Sequence, residues 1–240
     1  MIEMKNVSKK YKDKTALSNC SLKIPRGQVI GLFGANGAGK TTFMKCLMGY
    51  LNFEGEITLD GEKIDGKNIS RLSFATGDHS FFPSITADDH KMFYKMQFPN
   101  FNEKRYEALM EFFELPTRKK ISGFSLGQQN QFEVVLAISQ GAEYVIMDEP
   151  FAGNDVFNRE DFYEVLVSVL NENETVIVST HLIEEIADYI DRAILIRKSE
   201  IIDDLSVSDI EESGKSLIDI IKERYNYRAD RIRTAVEQMK

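Results

Sequence analysis

Short apolar runs alternate with longer amphipathic stretches along most of the chain, and the two spacings predict different elements. The run IGLFG at 30–34 reads as a compact strand, followed by a helix from about Lys40 to Leu51. The segment 55–64, GEITLDGEKI, carries two strands around Asp60-Gly61, a dipeptide suited to a tight hairpin turn. Tyr106, Leu109, Met110 and Phe113 fall at i, i+3, i+4 and i+7, one face of a helix begun by Asn102, whose side chain can accept from a free first-turn N–H. The stretch from Thr86 to about Gln140 therefore reads as a helical insertion. Beyond it the alternation resumes with YVIMD at 144–148, a helix turning Phe162, Val165, Leu166, Val169 and Leu170 inward, and TVIVST at 175–180. Near-continuous apolar strands separated by helices predict an α/β fold: a mainly parallel core sheet covered on both faces, with an antiparallel layer built from the early strands. The last segment, 203–240, reads as polar and helical. Its buried stripe is expected to be Leu217, Ile218, Ile221 and Tyr225, folded back on the core, because mixed charge argues against a lipid surface.

At 240 residues, one large domain or two joined ones are allowed. Hydrophobic residues at 42% and charged residues at 28% exclude a disordered chain. The net charge of −8 argues against the broad basic surface that duplex DNA requires, so nucleic acid is not an expected partner. Cys20 and Cys46 are too few for a disulfide framework, and the opening MIEMKNVSKKYK lacks an apolar signal region, which together predict a cytoplasmic setting. No apolar run approaches the roughly 20 residues that cross a bilayer. Any membrane role is expected to come through a partner chain.

Gly34-Ala35-Asn36-Gly37-Ala38-Gly39-Lys40-Thr41 fits G-x-x-x-x-G-K-[ST], and it stands between a predicted strand and a predicted helix. The glycines let successive backbone N–H groups curl around an anion, and the following helix aims its positive end at the same point. Lys40 supplies a point charge for phosphate. Thr41, with Thr42 beside it, supplies a hydroxyl for Mg²⁺, a cation held jointly with substrate phosphates. A Gly-rich structural turn is the plainer alternative, and the strand before and helix after argue against it. In YVIMDEP, a buried strand delivers Asp148 and Glu149 to its carboxyl end, where ligands bind in open α/β sheets. Asp148 suits an outer-sphere Mg²⁺ role, and Glu149 is placed to take a proton from water. An acidic pair merely capping a strand is the alternative here.

The segment Ser122-Gly123-Phe124-Ser125-Leu126-Gly127-Gln128 lies ahead of Asp148 and before a helix, and here the chain resembles the ATP-binding cassette family. Residues 124–128 look like that family's LSGGQ signature. The likeness runs over about residues 2–200: Tyr11 resembles the aromatic on which adenine stacks, Ala152-Gly153-Asn154-Asp155 the D-loop, and His181 the switch histidine. Tyr11 packed on the core, and His181 as a helix-start residue without a ligand, stay open as alternatives. The resemblance implies two cassettes meeting head-to-tail, homomeric or paired with a different cassette, with ATP between the phosphate loop of one and Ser125, Gly127 and Gln128 of the other. It further implies Mg²⁺-dependent hydrolysis with Glu149, His181 and Lys40 at the reaction, and Asp155 near the nucleotide. Three departures stand out. Gly77 occupies the position of the family's usual Gln, with Asp78 one residue on as a possible stand-in toward Mg²⁺; Leu126 replaces the signature's second glycine; Asn154 replaces a leucine.

The implied organisation is a nucleotide-binding core over 1–77 and 139–202, a helical subdomain over 78–138, and a C-terminal helical extension over 203–240. The implied role is the ATPase subunit of a transporter, exporter-like, peripheral on the cytoplasmic face of the membrane and working with a separate polytopic membrane subunit. A soluble cassette serving another assembly, or a nucleotide-sensing clamp with little turnover, are the rival readings. His79 and His90, with Asp78, Asp88 and Asp89 nearby, match no strong metal-ligand spacing and read as a solvated loop and helix start. Met44 and Cys46 read as core filling.

Overall fold

The computed structural model describes residues 1–150 and 157–225. Strands β1 (Ile2–Tyr11) and β2 (Lys14–Ile24) form a hairpin, and β3 (Val29–Phe33) leads through the glycine-rich loop into α1 (Lys40–Leu47). Then come β4 (Glu54–Leu59), β5 (Glu62–Lys63) and β6 (Leu72–Ala75). The helical stretch supplies α2 (Ala87–Gln97), α3 (Glu103–Phe112) and α4 (Leu126–Ser139). After it follow β7 (Tyr144–Asp148), α5 (Phe157–Val169), β8 (Thr175–Ser179), α6 (Ile183–Ile186), β9 (Arg192–Arg197) and β10 (Glu200–Ser206). Two helices close the described chain, α7 (Val207–Glu212) and α8 (Leu217–Arg224).

Two sheets result, a four-stranded antiparallel one in the order β2-β1-β4-β5 and a six-stranded one in the order β10-β9-β3-β8-β7-β6. In the larger sheet β9, β3, β8, β7 and β6 run parallel, and only the edge strand β10 is antiparallel. The period of two along each parallel strand feeds two cores. Ile30, Leu32, Tyr144, Ile146, Ile177 and Ile194 point toward the small sheet and α1. Val29, Phe33, Val145, Met147, Val176 and Val178 point toward α4 and α5. Each fully buried aliphatic or aromatic side chain contributes about 1.5–3 kcal/mol, so burial on both faces fixes the strand register and hence which residues emerge at the carboxyl ends.

Several boundaries differ from the sequence expectation. The first helix stops at Leu47 rather than Leu51, because Gly49 takes a left-handed φ of 68° and the N–H of Tyr50 turns back to Lys45 O at 2.9 Å. Residues 203–206 are strand, not helix: Lys198 and Ser199 both hold positive φ, at 49° and 72°, and turn β9 into β10 without the Asn-Gly signal that marks such hairpins. The helical extension begins only at α7, whose start is closed by a capping box between Ser206 and Asp209. Ile220, and not Ile218, joins Leu217 and Ile221 as a buried residue of α8. His90 is not solvated; it is fully buried, its Nδ1 bonded to Thr86 O at 2.7 Å and its Nε2 accepting the Phe82 N–H at 2.9 Å. That pattern requires the neutral ring, and burial lowers the His90 pKa accordingly. Asn102 caps α3 as expected, and Met44 and Cys46 are buried.

Candidate functional site

The β1–β2 hairpin, the loop after β3 and the carboxyl end of β7 border one pocket of about 400 Å³, lined by Tyr11, Lys14, Ala16, Ala35, Asn36, Gly37, Gly39, Lys40, Thr41, Thr42, Asp148 and Glu149. The loop takes its shape from Gly39, which precedes α1 at φ 121° and whose missing Cβ would lie 2.5 Å from Ala16 O. No other residue type tolerates both conditions. Lys40 is almost fully buried beneath the loop, its Nζ donating to Gly34 O at 2.7 Å and standing 3.9 Å from Glu149 Oε1. Gly34 and Ala38 shape the loop from behind rather than line the pocket, and Ala38 is buried in the core. Tyr11 ends β1 with 45% of its surface exposed, so the core-packing alternative fails. Lys9 Nζ lies over one face of its ring, 5.1 Å from the centroid.

The acidic end of β7 is held by β8. Ser179 lies opposite Asp148 in the parallel register, and its hydroxyl donates to Asp148 Oδ1 at 2.5 Å. The Glu149 N–H points at the same serine, 3.1 Å from its backbone oxygen. Glu149 sits at φ 49°, a left-handed conformation rare for a non-glycine residue, and this turn carries its carboxylate toward His181. His181 Nδ1 is 2.8 Å from Glu149 Oε2. With Glu149 ionised, Nδ1–H donates and Nε2 is left for another partner. His181 itself is mostly exposed and does not line the pocket. Ser179 was not anticipated as a site residue, although a serine ending a buried strand beside an acidic strand end is a legible signal.

The signature segment lies elsewhere. Ser125 begins α4, its Oγ accepting the Gln128 N–H at 3.2 Å while its own N–H donates to Gln128 Oε1 at 3.0 Å. Ser125 and Leu126 are exposed, and neither they, Gly127 nor Gln128 border the nucleotide pocket. The structure thus leaves these two groups of predicted site residues apart within one chain. Asp155 and the rest of the 152–155 segment lie outside the described residues.

Asp78 is also not brought to the pocket. Its carboxylate accepts from Lys45 Nζ at 2.8 Å, and this lysine holds the carboxyl below the usual carboxylate range; the side chain is otherwise 78% exposed. The structure places Asp78 in a surface ion pair with Lys45, outside the lining of the pocket. Gly77 borders a small cleft of about 30 Å³ shared with Asn130, Glu133, Asp148 and Glu149. Glu133 is buried on α4, and both its oxygens accept the Ser80 N–H, at 2.9 and 3.0 Å. Burial raises its pKa. Among the described residues no group of three or more His, Cys, Asp and Glu side chains could hold a metal by itself, and no helix is long and apolar enough to cross a membrane.

A family profile described as ABC transporter matches residues 17–152, a span that contains the phosphate loop, the signature and the acidic strand end. The chain belongs to the ABC transporter family. It is one of that family's ATP-binding subunits. The SkfA peptide export ATP-binding protein SkfE of Bacillus subtilis (strain 168) is 30% identical over 229 residues, covering 92% of this chain and 96% of that protein. A solved ATP-binding subunit of an ABC transporter superposes with a TM-score of 0.81 at 23% identity, covering 94% of this chain and 99% of its own. The cassette MJ0796, solved as a dimer in a post-hydrolysis state with ADP and Pi, superposes with a TM-score of 0.75 at 23% identity over 86% of this chain and 99% of its own. These two structural likenesses establish the cassette fold.

Proposed function

We propose that this ATP-binding cassette hydrolyses ATP to ADP and phosphate with Mg²⁺ in a head-to-tail pair of cassettes, and so drives transport through a separate polytopic membrane subunit. One observation carries the reading: the pocket holds the phosphate loop beside Glu149, while Ser125 opens α4 on an exposed surface outside that pocket. One chain encloses a triphosphate from one side only. A second copy, turned end for end, supplies the missing helix start, with its N–H groups and positive dipole end facing the γ-phosphate. The solved dimer of MJ0796 with ADP and Pi is consistent with this arrangement.

The residues divide the work. Tyr11 offers its exposed ring to adenine, and Asn36, Gly37 and Gly39 offer backbone N–H groups to the phosphates. Lys40 leaves Gly34 O for the β- and γ-phosphates. Thr41 and Asp148 bring hard oxygen donors, too few for an all-protein cage, which fits Mg²⁺ sharing its coordination with phosphate oxygens. When bound, that ion would neutralise charge on the phosphates. Water attacks the γ-phosphorus, the bond to the β–γ bridging oxygen breaks, and Glu149 takes the water proton while His181 fixes the carboxylate from the other side. ATP then binds two copies together and its hydrolysis releases them, which is the differential contact a switch requires.

The membrane subunit's cytoplasmic helices are assigned to the face carrying Tyr50, Phe82, Met92, Phe93 and Met96, all exposed, around the 77–83 loop and α2. Such a cluster of large apolar side chains marks an interaction surface. The cassette then sits peripherally on the cytoplasmic side of the membrane. Export is favoured because the peptide-export ATP-binding protein SkfE aligns nearly end to end with this chain.

The test is phosphate release with MgATP, beside the isosteric Glu149→Gln variant. Loss of a positioned general base lowers turnover by about 100- to 10,000-fold, while ATP affinity is kept or improved because a negative charge near the phosphates has gone. With saturating ATP this variant is expected to be dimeric by solution scattering. Monomers alone would remove the two-copy scheme, and undiminished turnover would remove Glu149 from its role.

A further inference from the structure

The geometry points to Tyr225 as a positioning residue for the phosphate loop, which makes the C-terminal helix α8 part of the nucleotide-binding apparatus. The inference rests on the reading that the pocket binds ATP. Tyr225 caps α8, its N–H bonded to Ile221 O at 2.9 Å. Leu217 and Ile221 anchor that helix in the same core as β3, β7 and β8. The phenol of Tyr225 reaches the carboxyl end of the parallel sheet, its oxygen 2.7 Å from Ile196 O and 3.2 Å from Phe33 O. A hydroxyl has one proton, so the closer carbonyl takes the main bond and Phe33 O shares it. Phe33 is the last residue of β3, and its carbonyl belongs to the peptide bond that opens the loop.

The surroundings hold the ring in place. The Arg197 guanidinium lies 6.0 Å from the ring centroid, and its Nη1 donates to Arg224 O at 3.1 Å. Arg224 in turn pairs with Asp203 on β10. Residue 34 has to be glycine for this packing: a Cβ there would lie 2.6 Å from Ile196 O and 3.5 Å from the Tyr225 hydroxyl. Burial pushes the Tyr225 phenol up to about 12, so it remains a donor at neutral pH.

The consequence concerns the first turn of the loop. The 33–34 peptide is held at Phe33 O by Tyr225, and the next carbonyl, Gly34 O, by Lys40. Lys40 has to release Gly34 O to reach a phosphate. Tyr225 then adds a side-chain hold to the pairing of Phe33 with Leu195 at the start of the loop, and helps keep the loop's backbone N–H groups aimed at the ligand. A hydroxyl 192 residues away in sequence thereby sets phosphate affinity.

The full-length chain and its Tyr225→Phe variant are compared by titration with a fluorescent ATP analogue and Mg²⁺, by steady-state phosphate release, and by thermal melting. Loss of one such bond is expected to raise Kd and KM by about 3- to 10-fold, with kcat within about twofold and Tm within about 3 °C because the ring still packs. Arg197→Ala, which frees the ring, is expected to act in the same direction, and the double variant to be no worse than Tyr225→Phe. An unchanged Kd, a loss confined to Tm, or fully additive effects would overturn the assignment. A wild-type chain that binds no nucleotide would instead overturn the reading of the pocket itself.

Discussion

Removing the Arg105 side chain tests how α3 is fastened to the sheet that carries the pocket. Arg105 lies on α3 with only 5% of its side chain exposed, against Glu174, 11% exposed, just before β8. Its Nη2 is 3.0 Å from Glu174 Oε2, and its Nη1 donates to Glu174 Oε1 at 3.1 Å and to Ile138 O at 3.0 Å. Arg105→Ala leaves a nearly buried carboxylate without its cation and a buried carbonyl without this donor. Breaking a buried pair by removing one partner costs about 3–5 kcal/mol. The lower end applies here, because Glu174 Oε2 keeps the Asn171 N–H at 2.9 Å. For a chain of this size about 3 kcal/mol corresponds to a fall in Tm of roughly 6–12 °C, readable by circular dichroism and urea unfolding. Adding Glu174→Gln removes the stranded charge and is expected to recover part of the loss, and Arg105→Met with Glu174→Leu to return stability close to wild type. A loss below about 1 kcal/mol in Arg105→Ala would show that the pair behaves as an exposed one and would refute the argument.

Two further outcomes are expected. Asp78→Asn should leave steady-state phosphate release within about twofold, since an exposed pair with Lys45 contributes little; a tenfold loss would return Asp78 to the metal site. Acid should expose the network at the opposite end of the sheet. There Arg26, the N-terminus and Arg71 hold Asp60 low, and Arg71 and Arg26 hold Glu143 low. Carboxyl groups lowered by folding add stability above their unfolded values and lose it as pH falls through the folded ones. Arg71→Met should therefore be less stable than wild type at neutral pH by about 1 kcal/mol at most, given the exposure of Asp60 and Glu143. The gap should narrow progressively as pH falls below about 4; a urea-midpoint difference independent of pH would contradict this.

The parts of the molecule legible from sequence are those where local pattern and burial agree. The strands at Val29–Phe33, Tyr144–Asp148 and Thr175–Ser179 are apolar on both faces and cannot be mistaken for a surface element. The phosphate loop is legible because its chemistry is confined to eight consecutive residues, and the structure brings Asn36, Gly37, Gly39, Lys40, Thr41 and Thr42 to one pocket. What escaped depends on distant contacts. His90 looks polar beside Asp88 and Asp89, yet the Phe82 N–H and Thr86 O satisfy both ring nitrogens, and Phe81 and Phe132 pack around it. The β9–β10 turn uses Lys198 and Ser199 at positive φ, where composition gives no warning; Ser199 is tied down by its hydroxyl on Thr15 O and its N–H on Ala38 O. Asp78 was drawn toward the metal by its neighbour Gly77, whereas the nearest cation in space is Lys45 on α1.

The α4 helix connects the exposed Ser125 segment to the sheet that carries the pocket. Its first turn presents Ser125 to solvent, and from Phe132 to Ser139 every residue is buried against the core beneath β6 and β7. Between these ends Glu133 grips the Ser80 N–H, and Asn130 Oδ1 meets His79 Nε2 at 2.7 Å. The loop that carries exposed Phe82 is thus bonded directly to the helix that carries the signature, and the cleft under that loop is walled by Asp148 and Glu149. On the two-copy reading proposed above, a membrane subunit docked on Phe82 would act on the same helix whose Ser125 would face a second cassette's γ-phosphate. Gly77 bears no side chain to relay such a displacement, so in this chain the load would fall on Glu133 and Asn130 together, and removing both would part the loop from α4 without touching the phosphate loop.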